Sequence, residues 1–308
     1  NRVWHHLFGR GIVSTVDNFG VMGDVPTNPE LLDHLALRLV NGGWSTKKLV
    51  RSIVLTRTYR LAATATPAHL AVDPGNKLLW RHEPRRLDAE EYRDALLATA
   101  GELDPKRPEG SPAQALRMIE MRDNGPEAKQ IVEAADGSKH RSVYLPLLRG
   151  VTPRALEAFD PVEQTLVTGS RDATTVPSQA LFVLNSSFVR KQSLALAEKL
   201  LAGKGSDADR LREAYRTVYG RSPSSAEIER ATAFLTAFEK DVALAAKPPA
   251  ETPSEATAPA EPAKPAKPVE PPFDPDQADQ SGVTIREDAV RPKDARHAAW
   301  LSLVQALY

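Results

Sequence analysis

Helix punctuation constrains this chain more than any single motif in it. Asn28 stands before Pro29, a cap followed by a residue suited to the first helical position, and Leu31, Leu32, Leu35, Ala36 and Leu39 then fall on one face until Gly42. Ser45 opens the next segment, where Trp44 can staple against Leu49 and the buried face would hold Leu49, Val50, Ile53 and Val54. Asp88 with Glu91 and Ser224 with Glu227 each have the spacing of a capping box, in which a side chain at either end of the first turn accepts from the other's backbone N–H. Gly101, Gly203 and Gly220 close three further helical runs. A chain so marked is expected to be mainly α: a loop-rich helical domain with at most one or two short strands.

The remaining segments fill in that frame. Val3, Trp4 and Leu7 form an amphipathic helix at the start, and residues 17–29 have the Gly, Asp, Asn and Pro content of an ordered loop. Asp73-Pro74-Gly75-Asn76 is a turn. Ser111 can cap a helix over 112–121, and a short helix is expected around 155–159. Residues 141–148 alternate, with Val143, Leu145 and Leu147 on one side, and form the best strand candidate; Pro146 confines it to a sheet edge. Pro177 can open a helix containing Ala180, Leu181 and Leu184, followed by one over 187–201. Ten prolines lie in residues 247–276, with hardly a residue fit for a core, so this stretch is expected to be a Pro-rich disordered linker. The predicted organisation is a helical domain over 1–246, the linker 247–276, and a segment 277–308 whose Trp300, Leu301, Val304 and Leu307 return as a helix. With no initiator methionine, signal peptide or cap at the start and no C-cap at the end, the chain reads as a fragment of a longer polypeptide.

Composition excludes several classes of partner and cofactor. Forty Lys and Arg balance forty Asp and Glu, which argues against nucleic-acid binding by bulk electrostatics. Absence of cysteine removes disulfides, thiolate metal sites, iron–sulfur clusters and covalently attached haem from this segment. No apolar run is long enough to span a bilayer.

Candidate chemistry is sparse. His5 and His6, with Asp17, Asp24 and His34, offer imidazole and carboxylate donors, but adjacent helical histidines point about 100° apart and no HExxH is present, so no metal site is expected. No Gly-x-Ser-x-Gly elbow exists around Ser170. Gly203-Lys204-Gly205-Ser206 lacks P-loop spacing, and the aspartates at 274, 276 and 279 lack the glycine and glutamate of a calcium loop. Lys47, Lys48, Arg51, Arg57 and Arg60 have no acid among them and, with Arg81, Arg85 and Arg86, could form a basic face; the preferred reading is a solvated surface balanced by the acids of residues 88–94. Arg171, Thr174, Thr175, Gln179 and Asn185 run from a polar loop into an apolar helix, where they can line a ligand site or satisfy loop backbone.

Four motifs occur in order: Asn1-Arg2-Val3-Trp4-His5-His6-Leu7-Phe8-Gly9-Arg10-Gly11, Arg85-Arg86-Leu87-Asp88-Ala89-Glu90, Arg141-Ser142-Val143-Tyr144-Leu145-Pro146, and Thr174-Thr175-Val176-Pro177-Ser178-Gln179-Ala180-Leu181-Phe182-Val183-Leu184-Asn185. Together they resemble the planctomycete-specific domain of unknown function found C-terminally in large exported proteins. The resemblance implies a periplasmic or secreted setting and an upstream cytochrome c-type domain carrying haem c, with no cofactor in this segment. It also implies partners among the other domains of the same polypeptide, a cell-surface polymer or a redox partner. The expected role is a non-catalytic structural and interaction module whose motif residues brace long loops. The competing reading is an enzyme acting on carbohydrate or sulfated polysaccharide through Arg10, Asp17, His34, Arg171 and Gln179.

Overall fold

The structure, a computed structural model, describes residues 1–110, 126–147, 152–162, 168–171, 174–245 and 289–308. Twelve α-helices account for the regular structure of those residues, and the one ladder contact outside them is an isolated bridge between Asp104 and His140. The expectation of a mainly α, loop-rich chain holds. The helix expected over 112–121 and the Pro-rich stretch 247–276 lie outside the described residues.

The chain divides into two compact units: Asn1–Ala95 with Leu103–Gln179, and Leu96–Glu102 with Ala180–Tyr308. The first unit holds α1 (Arg2–Phe8), α2 (Pro29–Asn41), α3 (Thr46–Val54), α4 (Pro67–Val72), the first part of α5 (Ala89–Ala100), α6 (Pro126–Gly137) and α7 (Arg154–Glu157). Trp4 and Phe8, one turn apart on α1, stack at 4.1 Å and join Ile12, Leu49 and Ile53 in a core against which Leu31, Leu32, Leu35 and Leu39 of α2 pack. Helix starts follow the sequence signals. Asn28 Oδ1 accepts from Leu31 N–H at 3.0 Å, and Ser45 Oγ accepts from Lys48 N–H at 3.4 Å. Trp44, however, does not staple onto Leu49. It takes φ 58 and stays 71 % exposed, while Leu49 turns into the core of α1 and α2.

Loops in this unit are held by side chains aimed at backbone. Asn1 bonds both the N–H and the carbonyl of Val13, at 2.9 and 3.0 Å, and the turn beneath it leaves no room at Gly11, where a Cβ would meet the Val13 carbonyl at 2.3 Å. The buried Asp73 carboxylate accepts from Lys77 and Leu78 N–H, its carbonyl accepts from the Trp80 indole, and Asn76 bonds the N–H and carbonyl of Arg81. That knot gives residues 76–81 their shape without a helix or strand.

Of the strand expected over 141–148, the described residues 141–147 form a 3-10 turn at Ser142–Tyr144 instead. Ser142 donates its N–H and its hydroxyl to Asp94 Oδ1, both at 2.7 Å, which bends the backbone into a turn and leaves Val143 exposed while Leu145 is buried. Helix α6 buries Ile131 and Ala135 one turn apart.

The second unit is a helix cluster of α9 (Ser187–Ala202), α10 (Asp207–Tyr219), α11 (Ser225–Ala245) and α12 (Ala295–Leu307), with α12 packed against the other three. Seven residues of α12 are buried, including Trp300, Val304 and Leu307, and they cover most of its circumference, so a wide apolar face is enclosed by its neighbours. Gln305 Nε2 donates to the carbonyls of Val183 and Leu184, among the last of α8 (Pro177–Asn185), satisfying acceptors the helix leaves open. Both bonds of the Ser224–Glu227 box form. A second box, Ser206 with Asp209, starts α10 and places a carboxylate at the helix end that the Gly203–Ser206 run would have offered to a phosphate. The apolar residues of α8 are not its buried ones: Leu181 and Leu184 are exposed and Gln179 is buried.

Candidate functional site

Two of the four motifs meet in the first unit around a cleft of roughly 190 Å³ lined by His5, His6, Gly9, Arg85, Arg86, Leu87, Asp88, Phe159, Asp160 and Arg171, and a third reaches it through Thr174, which bonds Arg86 and Asp160. Helix α1 supplies the histidines from its last turn and stops at Gly9, whose φ of 78° suits a residue without Cβ and whose N–H donates to the His5 carbonyl at 2.8 Å. Arg85, Arg86 and Asp88 come from the extended approach to α5, Phe159 and Asp160 from the residues after α7, and Arg171 from the segment before α8.

Each guanidinium in the cleft is engaged. Arg85 binds the Glu91 carboxylate with both terminal nitrogens, one contact at 2.9 Å, and faces Asp88 at 3.9 Å. Glu91 also accepts from Asp88 N–H at 3.0 Å, one of the two bonds expected of that capping box. Arg86 donates to the Thr174 carbonyl, 88 residues away, lies 4.0 Å from Asp160 and sits over the Phe159 ring at 5.8 Å. Arg171 forms a two-pronged pair with Glu90, 81 residues distant, one bond measuring 3.1 Å. Asp160, in the left-handed region at φ 54, accepts from Thr174 N–H at 2.9 Å and its hydroxyl at 2.8 Å, and from Gln179 Nε2 at 3.5 Å. Gln179 closes the network by accepting from Val176 N–H.

These contacts set the charges. The Glu91 hydrogen bond and charge raise Arg85 above its ordinary range against its own desolvation. Burial works against the Arg171 charge and is outweighed by its bonds to Glu90, so that its pKa too is raised. Burial also opposes the Glu91 charge, yet the bonds from Arg85 and the Asp88 N–H hold that carboxyl below the usual range. Desolvation and then neighbouring His6 lower His5, against the pull of Asp17 and Asp88, which leaves it a neutral imidazole near pH 7.

The other sequence candidates are distributed elsewhere. Arg2 pairs with Asp17 at 3.2 Å on the surface, Trp4 is core, and the Arg10 guanidinium lies beside Gly75. Thr174 belongs to the Asp160 network, whereas Thr175, Asn185 and His34 are exposed. Of the proposed set Arg10, Asp17, His34, Arg171 and Gln179, only Arg171 lines the cleft. Among the described residues no group of three or more His, Asp or Glu has the arrangement to hold a metal ion. The acids of residues 88–94 do not balance the basic residues of α3: they are taken by Arg85, Arg171 and, at 3.4 Å from Asp94, Arg141.

Sequence reasoning missed Asp160 and Arg93. The only local trace of Asp160 is the Asp-Pro dipeptide. Arg93 was more legible, since it shares a helical face with Leu96, Leu97 and Ala100, all buried, and a cation on such a face needs acceptors. It has them in the His140 carbonyl at 3.1 Å, Ser142 Oγ at 3.2 Å and the Ser138 carbonyl.

Fold and cleft thus define a helical, loop-braced module in which arginine–carboxylate pairs join segments far apart in sequence. The chain belongs to the family described as PSD1, protein of unknown function (DUF1553), whose model matches residues 1–235. No curated protein and no solved structure matches it.

Proposed function

We propose that this chain is a non-catalytic structural and interaction module of a larger exported protein. The observation that carries the reading is the occupancy of the cleft cations: Arg85, Arg86 and Arg171 are each committed to a carboxylate or carbonyl of the protein itself, two of them across more than eighty residues. A guanidinium so held gives up little to a ligand, and the pairs close a loop-rich unit that has few helix-to-helix contacts of its own. The exported setting, a cytochrome c-type neighbour carrying haem, and a redox or cell-surface polymer partner are parts of the same proposal and rest on the motif resemblance. Two readouts on the purified chain test it together: thermal stability of Arg86→Gln and Arg171→Gln, and turnover of sulfate-ester and glycoside substrates by the unaltered protein. The proposal expects lower stability in both variants and no turnover. Turnover that is lost in His5→Gln at unchanged stability would overturn it.

A second reading has one observation in its favour. His5, neutral near pH 7, shares the cleft with Asp88, Asp160 and Arg171, so a proton acceptor and carboxylates surround a space able to admit a small polar group. A carbohydrate-active enzyme would then work from these residues. The same turnover experiment decides between the two.

A further inference from the structure

One group of cations outside the cleft, on and just after α3, makes no ion pair with a described carboxylate. Residues 34–72 contain no Asp or Glu and six Lys or Arg. Lys47, Lys48, Arg51, Arg57 and Arg60 are exposed, and among the described residues no carboxylate lies within ion-pair distance of any of them. Helix α3 turns Leu49 and Ile53 into the core, so helical spacing sets Lys47, Arg51 and Leu55 in a row on its outer side, with Lys48 beside them; Trp44 lies just before the Ser45 cap that starts the helix. Trp44 is 71 % and Leu55 59 % exposed, and Leu37 and Val40 at the end of the neighbouring α2 are exposed too. The bare aromatic and aliphatic side chains that bracket this row of cations are apolar surface that is costly to leave in water.

We propose that the outer face of α3 docks on an anionic phospholipid surface, with Lys47, Lys48 and Arg51 over the phosphates and Trp44 and Leu55 set among the headgroups. Charge complementarity selects this occupant. A second copy of the same face would bring like charges together. A sulfated polymer would satisfy the cations and stack on Trp44, but would leave Leu37, Val40 and Leu55 facing polar groups. No helix among the described residues is long and apolar enough to cross a membrane, so the association is with its surface. The inference stands apart from the cleft and from whether the cleft is catalytic.

The test is cosedimentation of the whole chain with vesicles of phosphatidylcholine containing about one-third phosphatidylglycerol, against vesicles of phosphatidylcholine alone. Binding is expected only to the anionic vesicles, falling as salt is raised, with a blue shift of tryptophan emission that Trp44→Phe removes. Neutralising Lys47, Lys48 and Arg51 to Gln should weaken binding about five-fold each and roughly a hundred-fold together. These sites are exposed, so circular dichroism should remain that of the parent. Equal binding to both vesicles, no binding to either, binding to dextran sulfate with vesicles ignored, or self-association through Trp44 would each overturn the proposal.

Discussion

Replacing Arg93 with methionine should loosen the segment from α6 to Leu145 more than any surface change. Arg93 is fully buried, and burial lowers its pKa against the raising influence of Asp94 and Asp136. The magnitude follows from what each acceptor keeps. Ser142 Oγ retains Asp94, and the Ala135 carbonyl retains Ser138 N–H. The carbonyls of Ser138 and His140 lose the guanidinium. Two carbonyls left short of a donor cost about 1–3 kcal/mol each, and relief of the guanidinium's own desolvation offsets part of that, for a net loss of about 2–4 kcal/mol. Amide hydrogen exchange read by mass spectrometry over residues 131–147 is the direct assay, because it reports local opening without assuming that the two units unfold together. Slow amides there should exchange roughly 30- to 1000-fold faster, at about ten-fold per 1.4 kcal/mol. Arg93→Lys, which keeps the buried charge but loses the fork, should be no better tolerated. Unchanged exchange in both variants would refute the reasoning.

Gly11→Ala drives a Cβ to 2.3 Å from the Val13 carbonyl, a clash with backbone that a rotamer cannot relieve, and should lower the melting temperature by an amount equivalent to about 1–3 kcal/mol. In the second unit, Tyr308 is pushed up to about 12, first by burial, with its hydrogen bond to Thr99 at 2.8 Å acting the other way. A raised folded pKa means stability fully present below the ordinary tyrosine value near 10 and lost as pH climbs from there through about 12. Denaturant titrations of Tyr308→Phe should lack this alkaline component.

Local signals carried most of the helices, because caps and glycine stops act within a turn and depend little on the rest of the fold. Asn28, Ser45, Ser224 and Gly220 each sit where the sequence places a helix end. The failures came where tertiary partners overruled pattern. Alternation over 141–147 reads as a strand until Asp94, 48 residues earlier, claims Ser142 N–H and bends it. Trp44 looks like a staple, but its backbone is left-handed and its ring exposed, and Leu49 packs with Trp4 and Phe8 instead. The cleft was half legible. His5, His6, Arg85 and Arg86 lie within recognisable motifs, whereas Glu90 as the counterion of Arg171 and Asp160 as the anchor of Thr174 are long-range pairings that no local spacing encodes.

The account rests on the cleft's polar groups bracing the chain, and a double-mutant cycle between Arg171 and Glu90 tests that most directly. Urea unfolding of Arg171→Gln, Glu90→Gln and the double variant should give a coupling of about 1–2 kcal/mol, with each single change costing nearly as much as both. Additive effects with coupling near zero would contradict it.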